Sequence, residues 1–221
     1  MHAIFETIFD IAYLLGITGM GITMIAKSKG NKQFLLFGIM SVVLGVGDAF
    51  HLVPRVIVLN TTGLENYTYM LGVGKLVTSI TMTLFYVLLY HVYQSRYQVV
   101  GNRAISVTVY ILALLRIILC LMPQNAWTVL NPPLEWGIYR NIPFVILGLL
   151  IIVLFYKSAK VHKDTEFKHM WLTIVISFGF YLPVVLFASQ VPIIGMLMIP
   201  KMCAYAWTVW IGFSAIKKAV L

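Results

Sequence analysis

The sequence predicts an all-α polytopic membrane protein of seven transmembrane helices, and three observations carry that expectation. Apolar residues make up 61% of the 221 and charged residues only 10%. A soluble chain has about half and about a quarter, respectively. The apolar residues gather into runs of bilayer-spanning length, about 20 residues each, so the chain holds about seven such runs and their loops. The loops alternate along the chain between cation-rich and cation-poor, as the two faces of a membrane require. No length is left for a separate soluble domain, so residues 1–221 form one transmembrane domain. The net charge of +9 would suggest nucleic acid in a soluble protein; here it sits in short loops beside apolar spans, and nucleic acid is excluded. The lipid bilayer is the partner.

Helix 1 is expected over residues 4–26, where His2, Glu6 and Asp10 recur every four residues and form an acidic stripe. These acids stand where a cleavable signal peptide would carry basic residues. Helix 2 is expected over 33–59. Gly38, Ser41, Gly45, Asp48, Leu52 and Arg55 step along it by threes and fours, a small-and-polar seam that packs on neighbouring helices rather than on lipid. Asp48, His51 and Arg55 stand on successive turns of one face. Pro54 removes a backbone donor and should kink the helix beside His51.

Helix 3, over 68–93, turns Lys75, Thr78, Met82 and Tyr86 inward and Leu84 outward. Helix 4, over 104–122, carries Ser106, Tyr110, Ala113, Arg116 and Cys120 on one stripe. The connection 123–141 is rich in tryptophan, tyrosine and proline, so it reads as a segment at the membrane–water interface or a lid over the bundle. Helix 5 follows over 142–156, helix 6 over 170–188 with a kink at Pro183, and helix 7 over 193–216. Lys201, Tyr205, Thr208, Gly212 and Ala215 share one face of helix 7, with Val209 turned to lipid or a neighbour. Cys120 and Cys203 lie within spans and read as buried free thiols.

Orientation follows from the loop charges. Lys27, Lys29, Lys32, Arg96, Arg103, Lys157, Lys160, Lys163, Lys168, Lys217 and Lys218 lie in loops 1, 3 and 5 and the tail. That face is cytoplasmic, which puts the N-terminus outside, in the plasma membrane. The remaining cations, Arg55, Lys75, Arg116, Arg140 and Lys201, then fall in the outer half, with Glu6, Asp10, Asp48, His51 and Glu135. Intramembrane charges at one depth suggest an outward-facing polar chamber; the alternative is a closed salt-bridge network that holds the bundle together.

The halves of the chain echo one another. Lys27-Ser28 matches Lys157-Ser158, Pro54 matches Pro183 and Lys75 matches Lys201, each displaced by about 130 residues. This suggests duplicated three-helix units joined by helix 4. The plan is similar to the three-plus-one-plus-three architecture of SWEET and PQ-loop transporters and of microbial opsins. That resemblance is one of architecture over the whole chain, and it implies a site between the two units.

Asp48 and His51 could act as a general acid/base pair, the carboxylate orienting the imidazole. A metal would need further ligands from His2, Glu6 or Asp10, and neither a metal nor a cofactor is assigned. The chain has no serine-nucleophile motif, HExxH, phosphate loop or CxxC. Converging cations suit a small anionic or amphipathic molecule or a lipid headgroup. The first reading is therefore a transporter or binding protein whose ligand meets Glu6, Asp10, Asp48, His51, Arg55, Lys75, Arg116, Lys201 and Tyr205. An intramembrane lipid-active hydrolase using Asp48 and His51 is the alternative, and a sensor or assembly partner is a third.

Overall fold

The computed structural model describes residues 2–61, 67–99, 102–188 and 190–220. The connection between the second and third expected helices falls largely on 62–66, and the side chain of His2 is likewise outside the described residues. The described chain is helical throughout: α1 (His2–Ala26), α2 (Lys32–Asn60), α3 (Thr68–Tyr97), α4 (Arg103–Leu121), α5 (Leu134–Val161), α6 (Met170–Phe187) and α7 (Met198–Val220). Short 3-10 turns at Pro123–Asn125 and Pro192–Leu197 precede α5 and α7. All seven helices, with the last taken over Ile193–Lys218, are long and apolar enough to cross a membrane, consistent with an integral membrane protein. Their outer faces present apolar side chains such as Ile8, Leu15, Val46, Leu84, Ile111, Leu114 and Leu149. In water such a surface would be an aggregation hazard; against lipid it costs nothing.

The helices form a ring in chain order: each packs on the next, and α7 closes on α1. Local chemistry sets the ends. Asn31 accepts hydrogen bonds from the N–H groups of Gln33 and Phe34, and Asn102 accepts from Ala104, so two cation-rich loops each hand over to a capped helix start. α3 ends on Gln98 in the left-handed conformation, with φ of 49°. Close approach between α2 and its neighbours comes from glycine: a Cβ on Gly38 would strike Gly21 O at 2.8 Å, and one on Gly74 would overlap Phe50 O of α2.

α5 differs from expectation. It starts at Leu134 rather than at Ile142, so half of the anticipated interface segment is helical. Pro133 immediately before the helix and Glu135 in its first turn are start signals that the aromatic density concealed. The rest of the segment folds against α3, where Gly72 lies under the Trp127 carbonyl. Helix faces came out largely as read. Thr78 and Thr208 point inward, Thr208 bonding Thr173 at 2.8 Å, while Leu84 is exposed and Val209 buried. Tyr110 departs from its stripe and is exposed, and of the two free thiols Cys120 is buried but Cys203 is exposed.

The core is aromatic. Phe85, Tyr86, Phe144, Phe178 and Tyr205 pack with centroids 5.0–5.7 Å apart, mostly edge to face. At the other end of the bundle Arg96 of α3 donates to both oxygens of Asp164 at 2.9 Å and to Glu166 at 3.1 Å. Burial opposes ionisation of Asp164, yet Arg96 and the N–H groups of Phe167 and Glu166 hold its carboxyl below the ordinary value. This clamp ties α3 to the α5–α6 loop.

Candidate functional site

The polar residues of α1, α2, α3 and α7 meet at one end of the ring, because they stand early in α1, α3 and α7 and late in α2. They surround a cavity whose volume open to the centres of water molecules is about 60 Å3. A single water needs roughly 10–15 Å3 by that measure, so the cavity holds several waters or the end of a small molecule. Its wall takes Glu6 and Asp10 from α1, Asp48, His51 and Arg55 from α2, Thr78 from α3 and Lys201 and Tyr205 from α7. Gly195, Met196 and Met198 line it from the α6–α7 connection and the start of α7.

At the base, Tyr13 donates its hydroxyl to Asp48 Oδ2 at 2.9 Å. Asp48 and Arg116 are the charges whose fields act on Lys201, the first attractive and the second repulsive. The Lys201 ammonium lies 4.5 Å from the ring centre of Tyr181 and 5.4 Å from that of Tyr205, so aromatic faces share its solvation. Higher in the cavity Arg55 and Glu6 form an ion pair. Thr78 donates to Gly47 O at 2.9 Å, spending its hydroxyl on holding α3 to α2. Two groups are left over: the buried Asp10 Oδ2 and His51 Nδ1 have no hydrogen-bond partner among the described residues.

Of the residues expected to form one chamber, Glu6, Asp10, Asp48, His51, Arg55, Lys201 and Tyr205 come together. Arg116 and Arg140 do not line this cavity. Arg116 lies under the ring of Phe144, 3.2 Å from its centre, and Arg140 stacks on Trp127 and donates to Asn125. Lys75 is exposed, so the lysines at matching positions of the two sequence halves end in different surroundings. The Asp48–His51 dyad is not formed: Asp48 is held by Tyr13, and His51 Nδ1 is unpartnered. A helical i,i+3 spacing brings two side chains to one face but does not turn them toward each other.

The charge balance also differs from expectation. The lining holds the acids Glu6, Asp10 and Asp48 against the cations Arg55 and Lys201, so its acidic groups outnumber its permanent cations. Among the described residues no set of three His, Cys, Asp or Glu groups could hold a metal ion, so these carboxylates line a cavity without forming a metal cage. Tyr13 was not foreseen, although it continues the Glu6–Asp10 stripe by three residues. Gly195 and Met196 gave no signal, because in sequence they read as ordinary apolar residues at the start of helix 7, whereas the structure puts them in the 3-10 turn before α7. Comparison with protein-family models, curated proteins and solved structures finds no match.

Proposed function

We propose that the chain is a membrane binding or transport protein whose cavity takes a small molecule through a cationic group, an ammonium or guanidinium, placed among Glu6, Asp10 and Asp48. One observation carries the reading: Asp10 is 2% exposed, faces the cavity, and has a carboxylate oxygen with no donor among the described residues. A buried carboxylate without a donor is costly, and a ligand N–H or ammonium removes that cost. The like charges of Glu6 and Asp48 add to the local negative field. The cation-rich loops support an orientation with the cavity toward the outside and the N-terminus outside. A small anion, the ligand suggested by counting cations alone, would meet three acids here and is disfavoured.

The test is thermal unfolding of the purified full-length chain in detergent, with methylammonium, guanidinium and tetramethylammonium chlorides compared with sodium acetate and acetamide. Chloride is kept constant across all samples. The expected result is a saturable rise in Tm with at least one of the cations and none with acetate or acetamide. Ligand at about 100 times its Kd stabilises by about 2.7 kcal/mol, which is readily measured. Asp10→Asn should abolish the rise. An equal rise in the variant, or a rise with acetate only, would remove the cation reading.

A further inference from the structure

We infer that Arg116 is the centre of an anion site, buried on α4 beneath Phe144 of α5 and separate from the cavity, that takes a chloride-sized monovalent anion. Arg116 is 2% exposed, and its Nε and Nη1 have no hydrogen-bond partner among the described residues; the neighbouring Cys120 thiol offers the guanidinium only a weak acceptor. The guanidinium face is covered by Phe144, which leaves its edges to find acceptors.

No acid among the described residues pairs with it. Across α4 to α7 the acidic residues are Glu135, which is exposed, and Asp164 and Glu166, which are engaged by Arg96 at the opposite end of the bundle. The carbonyls that a deep arginine commonly uses at a helix end are taken as well. Asn125 Nδ2 donates to Leu119 O at 2.6 Å and to Met122 O at 2.8 Å, and Trp127 Nε1 donates to Cys120 O at 2.8 Å. The nearby charges make matters worse, since Arg140 and Lys201 both feel Arg116 as a like charge.

A permanent cation at membrane depth, repelled by two others and reached by no carboxylate among the described residues, calls for an anion from outside the chain. Complete burial selects a small monovalent ion, because a sulfate or phosphate would have to give up far more hydration. The charge of such an ion would also separate the Arg116 and Lys201 fields, leaving Lys201 to Asp48. This inference rests on Arg116 and its surroundings and stands apart from the cation reading of the cavity.

The test compares thermal unfolding of the full-length chain in sodium chloride, sodium bromide and sodium gluconate at equal ionic strength. The expected result is a saturable rise in Tm with both halides over gluconate, absent in Arg116→Gln and retained in Asp10→Asn. Equal Tm in all three salts, or a halide effect that survives Arg116→Gln, would overturn the site. Should Arg116→Gln fail to fold, bromide-soaked crystals of the unaltered chain decide. Anomalous density within hydrogen-bonding distance of Arg116 supports the site, and its absence there refutes it.

Discussion

Asp48→Asn should destabilise the chain by about 3–5 kcal/mol, and adding Lys201→Met should return most of that loss. The single substitution keeps the shape of Asp48 and a hydrogen bond from Tyr13, but it removes the charge that faces Lys201. Lys201 is 7% exposed, so its ammonium reaches only the few waters the cavity can hold and not bulk solvent. Its tyrosine neighbours soften the penalty without neutralising it. Lys201→Met alone should cost less than Asp48→Asn alone, because the hydroxyl of Tyr13 still bonds the surviving carboxylate. Unfolding of the four members of the cycle in detergent gives the coupling directly. Additive losses would mean that Asp48 and Lys201 are stabilised independently. The double variant should fold and yet lose the response to ammonium ligands, since Asp48 both balances Lys201 and lines the cavity.

Gly74→Ala should lower stability by about 1–3 kcal/mol or more, while Gly16→Ala should be neutral or mildly stabilising. At Gly74 the new Cβ would overlap Phe50 O and come within 2.8 Å of His51 Cα. Both are backbone atoms of α2, so no side chain can swing aside and α2 and α3 must separate. At Gly16 a Cβ meets nothing within 4 Å, and the gain in helix propensity is left unopposed. Separation at Gly74 also moves His51 and the wall of the cavity, so this variant should lose ligand response together with stability. Equal thermal behaviour of the two variants would show that α2 and α3 do not approach as closely as the structure has them.

The seven spans were legible because hydropathy needs no knowledge of neighbours, and the inward face of α2 was legible because polar residues recur at helical spacing. The partner of Asp48 was not. Lys75 and Lys201 stand at similar depth on helices that both touch α2, and spacing along one helix does not say which lysine turns inward. Ring order and helix rotation decide it, and they turn Lys201 in and leave Lys75 exposed. Counting cations by depth likewise could not separate Arg116 and Arg140 from the cavity, because depth is one coordinate and the site needs three. The start of α5 was hidden by Pro132, Pro133 and two tryptophans, which imitate a loop although Pro133 and Glu135 begin a helix.

A wet cavity lined by Glu6, Asp10 and Asp48 that opens to the outside should favour positive charge. The most direct measurement is the rate at which cationic and anionic thiosulfonate reagents, both membrane-impermeant, modify Met198→Cys on intact cells. Cys120 and Cys203 are replaced by alanine and serine in that chain. Met198 lines the cavity, so its thiol samples the field of the three carboxylates. The thiol should react from outside, with the cationic reagent faster by about tenfold, equivalent to about 1.4 kcal/mol of local potential. Asp10→Asn should narrow the difference. No reaction from outside, or a faster anionic reagent, would contradict an outward-open cavity that favours positive charge.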